Sequence, residues 1–299
     1  MEKNVLGLSN TFANMLKGDV IVVTGAGSGL GKAISLGLVF AGAKVGLLDI
    51  NKAAISEVAD KIKSVGGEAF VMEASVTDEA QLEKVYSELF KKFGKIDGLI
   101  NAAGIARLGR IQDLTPRDIK LSNDVNIDGY FLNTLFASKK MVEAKKGVII
   151  NISSASARGI SQGSSLYGTA KEAQCMMVRQ WAMDLGPSRV RVNALILGDL
   201  FGDEKLGINS AIWGKEYFNK KAVDKGLVQA SDPRLNEEIL NPEIREKVVD
   251  HYVARSALSK ELTYQDVVSQ IIFMCSSFCS KMTGESIALT SGNPSAFSR

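Results

Sequence analysis

The sequence predicts an α/β fold: a single domain built on a doubly wound parallel sheet with helices on both faces. Three observations predict it. Short β-branched apolar runs recur along the chain, each is followed by apolar residues at helical spacing, and the alternation persists from residue 19 almost to the C-terminal end. Parallel neighbours need crossover helices, and those helices cover the sheet.

The elements follow in order. "DVIVVTG" (19–25) is a buried strand closed by glycine, and "GLGKAISLGLVFAGA" (29–43) is the first helix. "KVGLLDI" (44–50) is a second buried strand, and "NKAAISEVADKIKSVGG" (51–67) is an amphipathic helix that ends in glycine. Strand three is 68–75, helix three 78–94, and strand four with its turn 96–104. Residues 113–145 read as one long helix, 147–154 as strand five, 167–186 as a helix with a large apolar face, and 190–198 as strand six. A helix at 264–277 and a strand at 285–292 close the chain. Residues 1–18 read as an amphipathic or loosely ordered leader. Residues 199–262 break the alternation, and a segment of that length is expected to form a substrate-binding lid.

Composition narrows the function classes. With 45% hydrophobic and 23% charged residues the chain reads as an ordinary soluble domain with a large core. A net charge of +3, with acids and bases interspersed, gives no basic face for nucleic acid or a membrane surface. No apolar run is long enough to span a bilayer. Three cysteines, with no export segment in "MEKNVLGLSN", predict a reducing, cytoplasmic setting. Cys275 and Cys279 lack neighbouring histidines, so they read as core residues and no metal is expected.

"TGAGSGLG" (24–31) lies where the first strand hands over to the first helix. Gly25, Gly29 and Gly31 permit a tight turn and let a pyrophosphate approach amides at a helix N-terminus, as in a Rossmann-type dinucleotide site. Asp49 ends strand two. An acid there accepts ribose hydroxyls and repels a 2′-phosphate, and no cation sits in the glycine turn, so NAD is expected over NADP.

"YGTAK" places Tyr167 and Lys171 on one helix face. A phenol titrates near 10, and an ammonium beside it favours the phenolate, so the pair can serve as general base in oxidation and general acid in reduction. His251, the single histidine, reads as structural.

With these motifs in place, the chain resembles a short-chain dehydrogenase/reductase of the single-domain kind, from about residue 18 to 292. "TGAGSGLG", "NAAG" (101–104) and "YGTAK" match the family's glycine turn, its turn after strand four and its Tyr-Lys motif. Ser154 precedes Tyr167 at the family's catalytic spacing, and Asn126 in "DVNIDG" falls where the family has a fourth catalytic residue. The resemblance implies that Tyr167 exchanges a proton with the substrate oxygen and that Ser154 holds the same oxygen. It implies that Lys171 lowers the tyrosine pKa and binds nicotinamide ribose, and that Asn126 helps hold a water linking the lysine to solvent. Ser153 and Ser156 are expected to be structural. Cofactor contacts are implied for Gly25, Ser28, Gly29, Leu30, Gly31, Asp49, Ile50, Ser75, Val76, Asn101, Ala102, Gly104, Tyr167 and Lys171. Gly198 and Leu200 complete that set.

The chain departs from the family in three places. Ser75–Val76 stands for the usual Asp–Val, Ala102 for a second asparagine, and "LGDLFG" (197–202) for P-G-x-x-x-T, with Gly202 at the threonine position. A Leu200 amide is the expected substitute there. The segment after strand six is similar to those of sorbitol-6-phosphate 2-dehydrogenases and of the dehydrogenase half of rhamnulose-phosphate aldolase/dehydrogenase fusions. The implied substrate is a polyol, sugar or sugar phosphate, with a bulkier apolar alcohol such as a hydroxysteroid or 3-hydroxyacyl compound as the alternative. A non-catalytic NAD sensor is the remaining class. Residues 199–256 hold nine basic and eleven acidic residues, which gives no bulk attraction for phosphate. Arg107, Arg110 and Arg158 are the arginines placed to bind one, and Trp213, Tyr217 and Phe218 are aromatic residues placed to cap a pocket. Cys175, Met176, Met177, Val178, Trp181 and Met183 exceed what one buried helix face needs. With the family habit, they imply a homotetramer, or a dimer.

Overall fold

The computed structural model describes residue 4, residues 6–201 and residues 215–296. Among these, seven parallel strands form one sheet in the order β3-β2-β1-β4-β5-β6-β7. The strands are β1 (Val20–Thr24), β2 (Lys44–Asp49), β3 (Ala69–Glu73), β4 (Gly98–Asn101), β5 (Gly147–Ser154), β6 (Val190–Leu197) and β7 (Ser286–Leu289). Strand order reverses between β1 and β4, which opens a crevice at the carboxyl ends of those strands. The expected doubly wound, Rossmann-type single domain is therefore the observed fold.

Strand period sorts the core. Ile21 and Val23 point to one face of the sheet, and Val20 and Val22 to the other. The first face packs on α1 (Gly29–Phe40), α2 (Lys52–Ser64) and α9 (Tyr264–Cys275). The second packs on α3 (Glu79–Phe93), α5 (Gly129–Ala144) and α6 (Ser165–Leu185). The inner strands β1, β2, β4, β5 and β6 are buried on both sides, which is why their runs read as continuous rather than alternating.

Three segments differ from the sequence reading. Residues 113–145 do not form one regular helix. A short 3₁₀ turn (Ile111–Asp113) precedes α4 (Pro116–Asn123), a wide turn of π type covers Asp124–Asp128, and α5 follows. Helical periodicity passes through the wide turn, so the pattern hides it. The leader is also more than an amphipathic extension. Leu6, Leu8 and Leu16 are buried in the first core, and the Leu16 amide bonds the Ala41 carbonyl at 2.8 Å. These three leucines join the core that α1 and α9 build on this face of the sheet.

The third is the excursion after β6, which carries α7 (Lys215–Asp224) and α8 (Pro242–Val253). Phe218, Ala222, Ile244, Val248 and Val249 bury one another with Phe201 and form a small core of their own. Tyr217 and Phe218 belong to this packing, whereas Trp213 and Gly202 lie outside the described residues.

Leu16 is 1% exposed. Leu16→Ala is expected to lower stability by about 2–4 kcal/mol, read as a shifted midpoint in urea unfolding; an unchanged midpoint would mean the leader contributes no core.

Candidate active site

The crevice is floored by the turn after β1. Gly25 (φ +69°) and Gly29 (φ +47°) occupy left-handed backbone, and a Cβ on Gly25 would come within 3.0 Å of the Ala103 main chain. A side chain at Gly31 would run into the Gly25 carbonyl. Ser28 precedes α1 without capping it by side chain, so the amides of the first turn keep their donors and the positive end of the helix dipole. Leu30 is half-buried against the first core. The Thr24 hydroxyl accepts from the amides of Ala102 and Ala103, 3.0 Å each, and locks the β4 turn against this cradle.

Asp49 stands beside the turn. Its carboxylate accepts from the Gly27 amide at 3.1 Å and the Asn51 amide at 2.9 Å, which fixes it at the crevice rim. Lys52, a nearby cation, pairs with Glu73 at 2.8 Å. Ile50 is 75% exposed and offers a flat apolar contact for a base. Ser75 and Val76 follow β3. The Ser75 hydroxyl meets Thr77 Oγ1 at 2.8 Å, and the Val76 carbonyl accepts from Asn133 at 3.4 Å. Asn101 is buried and donates to Thr134 at 3.2 Å and to Asn151 at 3.0 Å, with its own Oδ1 unpartnered. A cradle that a Cβ would fill, an uncapped helix start and a fixed carboxylate fit a dinucleotide.

The residues expected to be reactive gather at the ends of β5 and α6. Ser154 ends β5, and its hydroxyl bonds that of Tyr167 while accepting from the Ser156 amide at 3.2 Å. Tyr167 is partly exposed; burial raises its phenol above the ordinary value, and the Ser154 bond works against that rise. Ser153 supports α6 through the Lys171 carbonyl, 2.7 Å.

Lys171 differs from the sequence picture of an ammonium facing the phenolate. It is buried, and its Nζ bonds the Ile152 carbonyl at 2.8 Å and Gln174 Oε1 at 3.2 Å. The ammonium lies 5.5 Å from the Tyr167 ring centre. Burial pulls its pKa from 10.5 down to about 8, with Cys175 acting weakly the other way. Asn126 sits in the wide turn. Its amide pairs in both directions with the Ile105 main chain, 3.0 Å each, and a Cβ on Gly104 would lie 3.2 Å from its Oδ1. Gln174, which sequence reasoning missed, donates to the Asn126 carbonyl at 2.9 Å. Its signal was a lone amide in the apolar run "AQCMMV".

The Gly198 amide bonds the Leu289 carbonyl at 3.1 Å, and Leu200 pairs with Leu262. Arg110 and Arg158 line a cavity of about 840 Å³ on the outer side of α6, whose lining includes neither Ser154 nor Tyr167. Cys275 and Cys279 are buried free thiols. Among the described residues no helix is long and apolar enough to cross a membrane, and no His/Cys/Asp/Glu group is arranged for a metal.

The comparisons agree with this geometry. A family model described as short chain dehydrogenase matches residues 19–203. The 7alpha-hydroxysteroid dehydrogenase of Escherichia coli (strain K12) is 27% identical over 277 residues, 93% of this chain and 94% of the relative. The sorbitol-6-phosphate 2-dehydrogenase of the same strain is 29% identical over 276 residues, 91% and 97% of the two chains. A solved 7 alpha-hydroxysteroid dehydrogenase, complexed with NADH and 7-oxo glycochenodeoxycholic acid, superposes with a TM-score of 0.76 at 26% identity, over 96% of this chain and 98% of that one.

Lys171 also sets a stability slope. Below about pH 8 it is charged whether folded or unfolded. Between about pH 8 and its ordinary value of 10.5, the unfolded chain keeps the proton and the folded one releases it, so stability rises with pH. From pH 8 to 10, the wild type is expected to gain about 2 kcal/mol over Lys171→Met in denaturant unfolding. Parallel pH profiles would contradict this.

Proposed function

The chain belongs to the short-chain dehydrogenase family and is an oxidoreductase acting on alcohols, and we propose that its substrate is a secondary alcohol of the polyol, sugar or sugar phosphate class, oxidised with NAD. The reaction reading is carried by one observation: Ser154 and Tyr167 hydrogen-bond each other at the mouth of the crevice, with Lys171 one helical turn behind.

With its pyrophosphate in the glycine cradle, the dinucleotide would supply the hydride chemistry through its nicotinamide. The chain supplies position and the proton. Ser154 holds the substrate oxygen beside Tyr167 Oη. Tyr167 takes the hydroxyl proton in oxidation and returns it in reduction. Lys171, charged at neutral pH, favours the phenolate, and Asn126 fixes the Ile105 strap beside it. Gly25, Ser28, Gly29, Leu30 and Gly31 cradle the pyrophosphate. Asp49 keeps lone pairs for ribose hydroxyls and opposes a 2′-phosphate. Ile50, Ser75, Val76, Asn101, Ala102 and Gly104 border the nucleoside. Gly198 and Leu200, just beyond β6, would border the nicotinamide end.

The choice of a hydroxyl-rich substrate draws on the lid side. Asp199 lies just beyond Leu197, which is in register with Ser154. Its carboxyl is raised by burial, opposed by Arg255, and it acts electrostatically on Tyr217, whose hydroxyl lies 3.4 Å from that of Tyr252. Polar groups so placed suit several hydroxyls better than an oily ring. The second reading, a bulkier apolar alcohol, is favoured by the end-to-end likeness to the hydroxysteroid dehydrogenase.

A homotetramer, with a dimer as the smaller form, suits the outer faces of α5 and α6. Phe131, Leu135 and Val142 on α5 and Met176 and Met183 on α6 are exposed. Cytoplasmic placement follows from the reduced cysteines expected of the sequence.

NADH formation is the direct test, measured with a panel of polyols, sugar phosphates and hydroxysteroids and repeated with NADP. The expected result is turnover on a sugar-type alcohol with NAD and a loss of about 10³-fold or more in Tyr167→Phe. Turnover on hydroxysteroids alone moves the substrate to the second reading, and undiminished Tyr167→Phe activity removes Tyr167 from the chemistry. Sedimentation at micromolar protein is expected to give a tetramer; a monomer would refute the association.

A further inference from the structure

We propose that Gln174 is a positioning residue of this site: its carboxamide holds the Lys171 ammonium and ties it to the main chain at Asn126. The inference rests on the dehydrogenase reading above and assigns a part to a residue outside the family motifs quoted for this chain.

Gln174 is fully buried on α6, three residues beyond Lys171 and on the same helix face. An amide in such a place is costly unless its donors and acceptor are used. Here they are. Oε1 accepts from Lys171 Nζ at 3.2 Å, and Nε2 donates to the Asn126 carbonyl at 2.9 Å. The Tyr130 hydroxyl also bonds the amide. That hydroxyl gives its own proton to the Ile152 carbonyl at 3.2 Å, so it receives the second Nε2 hydrogen. The Ile152 carbonyl in turn accepts from Lys171 Nζ at 2.8 Å. Lys171, Ile152, Tyr130 and Gln174 thus close a buried ring of hydrogen bonds, and the Asn126 carbonyl anchors it to the wide turn.

The ammonium at the centre of this ring is held by dipoles. The titratable groups facing it are Tyr130 from α5 and Tyr167 and Cys175 from α6, and among the described residues no carboxylate pairs with it. A desolvated charge with two protein acceptors depends strongly on each. Removing the Gln174 acceptor weakens the charged form of Lys171, and with it the support for the Tyr167 phenolate. The same amide fixes where Nζ stands, because it joins α6 to the turn that carries Asn126.

The test is Gln174→Met, which keeps the volume and removes the hydrogen bonds. Two readings are taken. One is the titration of the Lys171 ε-methylene by carbon NMR in lysine-labelled protein, assigned from its absence in Lys171→Met. The other is the pH profile of kcat/KM for alcohol oxidation. The Lys171 titration is expected to fall by about one unit, and the acid limb of kcat/KM to move to higher pH. An unmoved Lys171 titration overturns the proposal, as does a kcat/KM lowered by the same factor at every pH. If Gln174→Met does not fold, Gln174→Asn keeps an amide too short to bridge both partners and carries the same expectations. The NMR titration needs no turnover. A wild type inactive across the substrate panel therefore counts against the dehydrogenase reading, while the titration still decides the role of Gln174.

Discussion

A buried ammonium with no carboxylate beside it among the described residues is the constraint around which the proposed catalytic half is arranged. Lys171 is withdrawn from water, and burial alone disfavours its charge. Carbonyl and amide oxygens must stand in for solvent, and they come from separate elements: Ile152 from β5 and Gln174 from α6. Tyr130 from α5 buttresses the same ring. An interruption in the α4–α5 path then has a physical use. Within the wide turn, the Asn126 carbonyl accepts from a side chain and its amide grips the Ile105 strap. Wide turns of this kind recur at functional sites because they free main-chain groups that a regular helix consumes.

The cofactor side depends on a different economy, that of close backbone approach. Strand reversal between β1 and β4 opens the crevice, and Thr24 holds the two turns together with a single hydroxyl. Glycine at 25 and 31 lets main chain meet main chain where any side chain would intrude. Asp49 is held from two backbone amides, so its position does not depend on a ligand. Recognition on this side is therefore largely preformed.

The segment proposed as the lid is built on its own small core, with aromatic and aliphatic residues of α7 and α8 packed on Phe201. A segment stabilised within itself can change its inner surface without disturbing the sheet, which is how one fold accommodates different substrates. In this chain that surface combines Asp199, Arg255 and a tyrosine hydroxyl pair. In the proposed function, the sheet fixes the catalytic side of the crevice and this separate layer forms the substrate side.

Much of this was legible in the sequence. Seven short apolar runs marked the strands, and burial on both faces of the inner ones leaves a continuous signal. The glycine turn, Asp49, and the spacings of Ser154, Tyr167 and Lys171 are local patterns, and local patterns survive without coordinates. What the tertiary structure decided is everything that depends on direction and on distant partners. Helical period runs unbroken through Asp124–Asp128, so no pattern marks the wide turn. Leu6, Leu8 and Leu16 look like an amphipathic leader until α1 and α9 present a surface to cover. The i, i+4 spacing puts Lys171 beside Tyr167, yet the ammonium turns toward Ile152 and Gln174, because a buried charge goes to its strongest acceptors. Gln174 is a single amide in an apolar helical run, and nothing local marks its partners. Only the assembled fold brings it Tyr130 from α5 and the Asn126 carbonyl from the wide turn.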